Sequence, residues 1–163
     1  MENLSKQNNP QELEPITLVE GTEADLETFF ALEQKLAGST YWPETTKEQI
    51  SGGNKFFYMV KIGDKIVGQI QYEKQEDNVV YLNVLGIDPD FQGKGLGKEA
   101  MKQFLSKVSD ASKIWLVTHP ENKAAVKLYE SFGFKITERK ENYFGNGTPR
   151  VVMVLENLPK YQS

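Results

Sequence analysis

"VVYLNVLGIDPDFQGKGLGKEAM", residues 79–101, decides how this chain folds. Its first nine residues are apolar at nearly every position, the pattern of a strand covered on both faces at the centre of a sheet. The run breaks at Asp88-Pro89, passes three alternating glycines and resumes with helical periodicity. Leu96, Ala100, Met101, Phe104, Leu105 and Val108 then fall on one face. A buried strand feeding a helix in this way calls for a parallel partner downstream, and "KIWLVTH" (113–119) supplies it through a right-handed crossover.

Upstream the pattern is antiparallel. "ITLVE" (16–20) reads as a short strand. Thr22 then caps a helix that runs to about Ala37, with Asp25 three residues on to return the capping bond. Leu26, Phe29, Phe30 and Leu36 form its apolar stripe, and "GSTYWPETTKEQI" (38–50) is irregular, with at most a short helix after it. "FFYMVKI" (56–62) and "IVGQIQY" (66–72) flank Gly63-Asp64-Lys65, a glycine-containing hairpin connection, and the polar turn "KQEDN" leads into the central strand. Downstream, Asn122 starts a helix that Gly133 ends at C′. "FKITER" (134–139) and "RVVMVLE" (150–156) are late strands around the loop "KENYFGNGT". The expected fold is α+β: one domain over residues 15–158, with a mixed, mostly antiparallel sheet flanked by helices. Residues 1–14 read as a flexible polar leader and 159–163 as a short tail.

Composition narrows the function. The 163 residues suffice for one ordinary domain with a sizeable core. A net charge of −4 lacks the basic face that nucleic acid requires and suits a cationic substrate slightly better. With no cysteine and one histidine, disulfides and thiolate metal sites are excluded, and no metal is expected. "MENLSKQNNPQELEP" has no apolar core of a signal peptide, and no apolar run reaches membrane-spanning length. A cytoplasmic protein is the expectation.

"QGKGLG" (92–97) links the carboxyl end of a buried strand to a helix start, where free N–H groups and the helix dipole attract an anion. Glycines let a backbone approach its ligand, and Lys94 and Lys98 add positive charge. The bland alternative is a plain strand-to-helix turn. No G-x-x-x-x-G-K-[ST] is present, and the dinucleotide pattern fails because Lys98 stands where its third glycine would fall. The second constellation is "HPENKAAVKLYESFGF" (119–134), where Asn122 and Tyr129 lie two helical turns apart. By pattern alone Tyr129 is equally a core aromatic and Asn122 only an N-cap.

Taken together, the chain resembles the GNAT superfamily of acetyl-CoA-dependent N-acyltransferases. "IDPDFQGKGLGKEAM" matches that family's Q/R-x-x-G-x-G/A motif, and "NKAAVKLYESFGF" its N-x-x-A-x-x-L-Y-x-x-x-G-F segment. The element order from Ile16 to Glu156 agrees as well. The resemblance implies transfer of an acetyl group from acetyl-CoA to a primary amine, by direct attack with both substrates bound. It implies a pyrophosphate loop made of Gln92, Gly93, Lys94, Gly95, Leu96, Gly97 and Lys98, using main-chain N–H groups. Leu85, Gly86 and Ile87 would pair with the pantetheine arm like an added strand, Asn122 would bond the pantetheine region, and Tyr129 would be the general acid that protonates the leaving thiolate.

The base stays unassigned. A neutral amine is needed, yet an alkyl amine has a pKa of about 10.4 and an α-amine about 8. Many relatives carry a glutamate on the strand equivalent to 79–87, but here that strand holds Asn83 and no carboxylate. An ordered water, Glu73, Glu138 or His119 are the alternatives. Tyr41, Trp42, Tyr143 and Phe144 are candidate walls of the acceptor pocket, between segments 38–50 and 140–149. "ENYFGNGTPRVVM" is similar to the late hairpin of protein N-terminal acetyltransferases, although small-amine acetylators carry such segments too. The acceptor is thus a small-molecule amine or a peptide N-terminus, and the oligomeric state is open, a homodimer included. A non-catalytic acyl-CoA-binding sensor module is the competing reading.

Overall fold

A computed structural model of the protein describes residues 15–37, 54–156 and 158. In chain order its elements are β1 (Ile16–Glu20), α1 (Leu26–Ala37), β2 (Lys55–Ile62), β3 (Lys65–Lys74), β4 (Val79–Ile87), α2 (Leu96–Lys107), β5 (Lys113–Thr118), α3 (Lys123–Ser131), β6 (Lys135–Lys140) and β7 (Arg150–Glu156). All seven strands join one sheet in the order β1-β2-β3-β4-β5-β7-β6. Only β4 and β5 run parallel, and every other neighbouring pair is antiparallel.

Local chemistry accounts for the element ends. The carboxylate of Asp25 accepts from the backbone N–H and the hydroxyl of Thr22 (2.9 and 3.1 Å), holding the start of α1. Residues Glu23–Asp25 form a 3₁₀ turn ahead of α1, so the α-helix proper begins at Leu26. The β2–β3 hairpin closes more tightly than its sequence suggests. Ile62 pairs with Lys65, leaving a two-residue turn in which Gly63 takes φ +57°, a value glycine reaches without strain. Gly133 ends α3 at φ +97°, with the N–H of Phe134 returning to the carbonyl of Tyr129 at 3.2 Å.

Two cores sandwich the sheet. On one face α2 buries Leu96, Ala100, Met101, Phe104 and Leu105 against Val60, Ile70, Tyr72, Leu82 and Ile114. On the other, α1 packs Leu26 and Phe29 onto Phe57 and Met59. Strand alternation assigns the faces: along β3, Ile70 and Tyr72 face α2, while Gln69 and Gln71 face α1.

The late strands do not lie as a simple continuation of the sheet. β7 inserts between β5 and β6, its Val151–Glu156 pairing with Thr118–Lys113, and β6 becomes the outer edge. Direction then gathers one set of loops at a single end. β4 and β5 finish there, β7 begins there, and α1 arrives there, because Lys35 pairs with Asp88 (2.9 Å) and Asp90 (3.3 Å) just beyond β4.

Candidate active site

The ladder between β4 and β5 is short. Val79, Val80 and Tyr81 pair with Lys113, Ile114 and Trp115, and there the pairing stops. Among the described residues, the edge of β4 that faces β5 has no strand partner from Leu82 to Ile87, while Leu116, Val117 and Thr118 pair only with β7. The central parallel pair therefore opens as a wedge towards the end where the loops collect. Unpaired backbone groups along such a wedge need partners from elsewhere, and an extended ligand meets that need by adding as a strand. Leu85, Gly86 and Ile87 line this edge.

The glycine turn stands at the mouth of the wedge. Asp88 accepts from the N–H of Asp90 (3.0 Å) and shapes the short 3₁₀ turn Pro89–Phe91. Its carboxyl lies below the usual carboxylate range, chiefly through that backbone bond and then through Lys35. Gln92 acts as a clasp: its Nε2 donates to the carbonyl of Ile87 at 2.9 Å, folding the loop back onto the strand end. Gly93 and Gly95 sit at φ +82° and +77°, and a Cβ on either would enter open space. Gly95 is the N-cap of α2 with no side-chain cap, so the first N–H groups of the helix are left for another acceptor. Lys94 and Lys98 are exposed beside them.

This cradle fits a pyrophosphate by chemistry and by space. Two residues within it differ from the rest. Gly97 needs no unusual backbone, since a Cβ there would make ordinary 3.8 Å contacts with Ile87 and Leu128. Leu96 sends its side chain into the core at 4% exposure and offers the site only its main chain.

α3 lies alongside, with Leu128 reaching the first turn of α2. Asn122 caps α3, its Oδ1 accepting from the N–H of Ala125 at 3.2 Å. Tyr129 is buried at 8% exposure, packs on Phe134 at 5.8 Å between ring centroids, and has its hydroxyl pushed up to about 12 by burial. A free phenol titrates near 10, so in alkali the unfolded chain ionises before the folded one. The stability contributed by this hydroxyl is full below pH about 10 and is lost as the pH rises towards about 12. Tyr129→Phe should therefore lose less stability than the parent between pH 10 and 12, as measured by urea unfolding. Parallel losses in the two proteins would mean that the hydroxyl is not buried as described.

The other sequence candidates separate. His119 follows directly on β5 at the rim of the wedge, with Nδ1 accepting from the N–H of Glu121 at 3.1 Å. Glu73 lies opposite Tyr81, at the closed end of the wedge, and accepts from Asn54 at 3.2 Å. Glu138 is on the outer strand, paired with Lys140 at 3.4 Å and separated from β5 by β7. Tyr143 and Phe144 occupy the β6–β7 loop at the wedge end, in edge contact at 4.8 Å, with Arg150 over the Phe144 ring. Tyr41 and Trp42 lie outside the described residues. Among the described residues no group of three His, Cys, Asp or Glu side chains could hold a metal, and no helix is long and apolar enough to cross a membrane.

Sequence reasoning missed Gln69 and the bulge at Asn83. Gln69 is wholly buried, and neither polar atom of its side chain has a partner. Asn83 is the extra residue of a β-bulge, set between Leu82 opposite Tyr72 and Val84 opposite Gln71. Its Oδ1 is buried without a partner as well. The one available signal was glutamine at alternate positions inside an apolar strand, which ordinarily marks a solvent face.

The chain belongs to the acetyltransferase (GNAT) family, whose sequence model matches residues 22–134. It is 26% identical over 137 residues to the ribosomal protein bS18 alanine N-acetyltransferase of Escherichia coli, covering 83% of this chain and 91% of that one. It is 24% identical over 136 residues to the N-alpha-acetyltransferase RimI of Mycobacterium tuberculosis, covering 80% and 85%. Among solved structures, Arabidopsis thaliana Naa50 in complex with the bisubstrate analogue CoA-Ac-MVNAL superposes with a TM-score of 0.72 at 26% identity, over 86% of this chain and 98% of that one.

Proposed function

We propose that the protein acetylates the α-amine of a peptide or protein N-terminus, using acetyl-CoA as the donor. The observation that carries this reading is the wedge between β4 and β5 with the glycine cradle at its mouth. The choice of acceptor is supported by relatives named as a ribosomal protein alanine N-acetyltransferase and an N-alpha-acetyltransferase, and by the bisubstrate analogue CoA-Ac-MVNAL in the Naa50 structure. A cytoplasmic setting belongs to the same reading.

Each part of the chain then has a physical task. Acetyl-CoA brings the acetyl group as a thioester. The N–H groups of Gly93 to Lys98 and the dipole of α2 hold its diphosphate, with Lys94 and Lys98 adding charge. The free edge of β4 from Leu85 to Ile87 orients the pantetheine arm by main-chain bonds, and Asn122 borders the same arm. Gln92 fixes the loop to the strand end, so that cradle and edge keep their register. Tyr129 keeps its proton through the working pH range and delivers it to the leaving sulfur. The low pKa of an α-amine relative to an alkyl amine, about 8 against 10.4, makes the N-terminus the easier group to bind neutral.

Thiol release from acetyl-CoA, measured with peptides, spermidine and simple alkyl amines, tests the reading directly. Turnover with a peptide above the hydrolysis background is the expected result. Tight acetyl-CoA binding without turnover on any amine would make the chain a sensor module instead.

A further inference from the structure

We propose that the carboxamide of Gln69 recognises the first peptide unit of the acceptor, which makes it a specificity-determining residue. This inference rests on the N-acetyltransferase reading above. Gln69 lies one rung from the end of the β3–β4 ladder, opposite Gly86, at the end of the sheet where the wedge opens. It faces the α1 side, since its partner on β2 is Met59, which packs with Phe29 of α1. Gln71, also buried, follows it on the same face. Leu36, in the last turn of α1, occupies the space that a side chain on Gly86 would fill.

A carboxamide with 0% exposure and no partner for either Oε1 or Nε2 is a rare arrangement in a native interior. The group is uncharged and offers one strong acceptor and one donor pair. A peptide unit presents the complement, an N–H for Oε1 and a C=O for Nε2. An ammonium chain such as a polyamine has donors only and leaves Nε2 unmet, while a carboxylate leaves Oε1 unmet. Another buried oxygen without a partner, Asn83 Oδ1, lies one strand over at the bulge. Gln69 therefore stands as a buried neutral amide without partners on the α1 side of β3, the side opposite α2. The last turn of α1 above it is held by Lys35 through ion pairs that are exposed at Lys35 and Asp90.

The decisive variant is Gln69→Met, which keeps length and volume but removes both polar atoms. Activity is read on trialanine, on n-propylamine, which has the amine without the peptide unit, and on spermidine, alongside the acetyl-CoA Kd and the Tm. The expected result is a fall in kcat/KM on trialanine of about 10- to 100-fold, with propylamine turnover and acetyl-CoA affinity unchanged. The Tm should hold level or rise, because an unpaired buried amide has gone. Rising stability with falling peptide activity is a combination that a structural glutamine does not produce. If the variant keeps its trialanine kcat/KM, or if the parent prefers spermidine, this inference is overturned while the acetyltransferase reading stands. If the parent acetylates none of the three, both fall together.

Discussion

Gly95→Val should bind acetyl-CoA about 100-fold more weakly than the parent, or not measurably, in a calorimetric titration. Two effects act in the same direction. At φ +77° a β-branched residue is strained by about 1–3 kcal/mol, so the N-cap of α2 shifts and its N–H groups lose their common aim. The added side chain also projects into the open space over the loop, where a diphosphate has to lie. A loss of about 2.7 kcal/mol corresponds to 100-fold in Kd. Gly97→Ala separates the two effects. Its Cβ meets only ordinary contacts, and alanine favours the helix, so folding should hold or improve. Any loss of acetyl-CoA affinity in that variant would then report backbone approach alone. Wild-type affinity in a folded Gly95→Val protein would remove the glycine turn from the site.

Tyr129→Phe should lower kcat by about 10²–10⁴-fold with acetyl-CoA affinity nearly unchanged. The ring that packs against Phe134 is retained, so α3 keeps its place. The hydroxyl, pushed up to about 12, is a weaker acid than a thiol of about 8.5, so it acts by donating a hydrogen bond to the charge that develops on sulfur. Burial is thus useful for a donor: the phenol does not ionise in the pH range where an α-amine becomes neutral. A pH–rate profile with no alkaline fall below about pH 10 belongs to the same expectation. Wild-type turnover by the phenylalanine variant, with chemistry rate-limiting, would make Tyr129 a core aromatic and nothing more.

The sequence made some parts of this architecture readable and hid others, for identifiable reasons. Residues 79–101 carry their structure locally: a two-faced apolar run, a proline stop, glycines and a clean helical stripe each act within a few positions. The central strand, α2 and the parallel pair could be read for that reason. Thr22–Asp25 and Gly133 were legible on the same grounds, because caps obey short-range chemistry. The neighbour of β5 was not. Whether β6 or β7 lies beside it depends on packing across more than thirty residues, and each strand alone fits either place. Gln69 went unread for the opposite reason. Its alternation is a true strand signal, but alternation cannot distinguish water from a helix laid over the same face.

The placement of β7 also governs when the molecule can exist at all. β5 has only three residues paired to β4, so most of its ladder is contributed by Val151–Glu156. During synthesis the front of the sheet is complete long before those last residues leave the ribosome, and until then the long side of β5 is an open edge. The wedge proposed for the ligand on one side of β5 is therefore bounded by a strand whose main support is β7 on its other side. A chain lacking β7 would keep the glycine turn but lose the ladder that supports β5, and with it the proposed cleft.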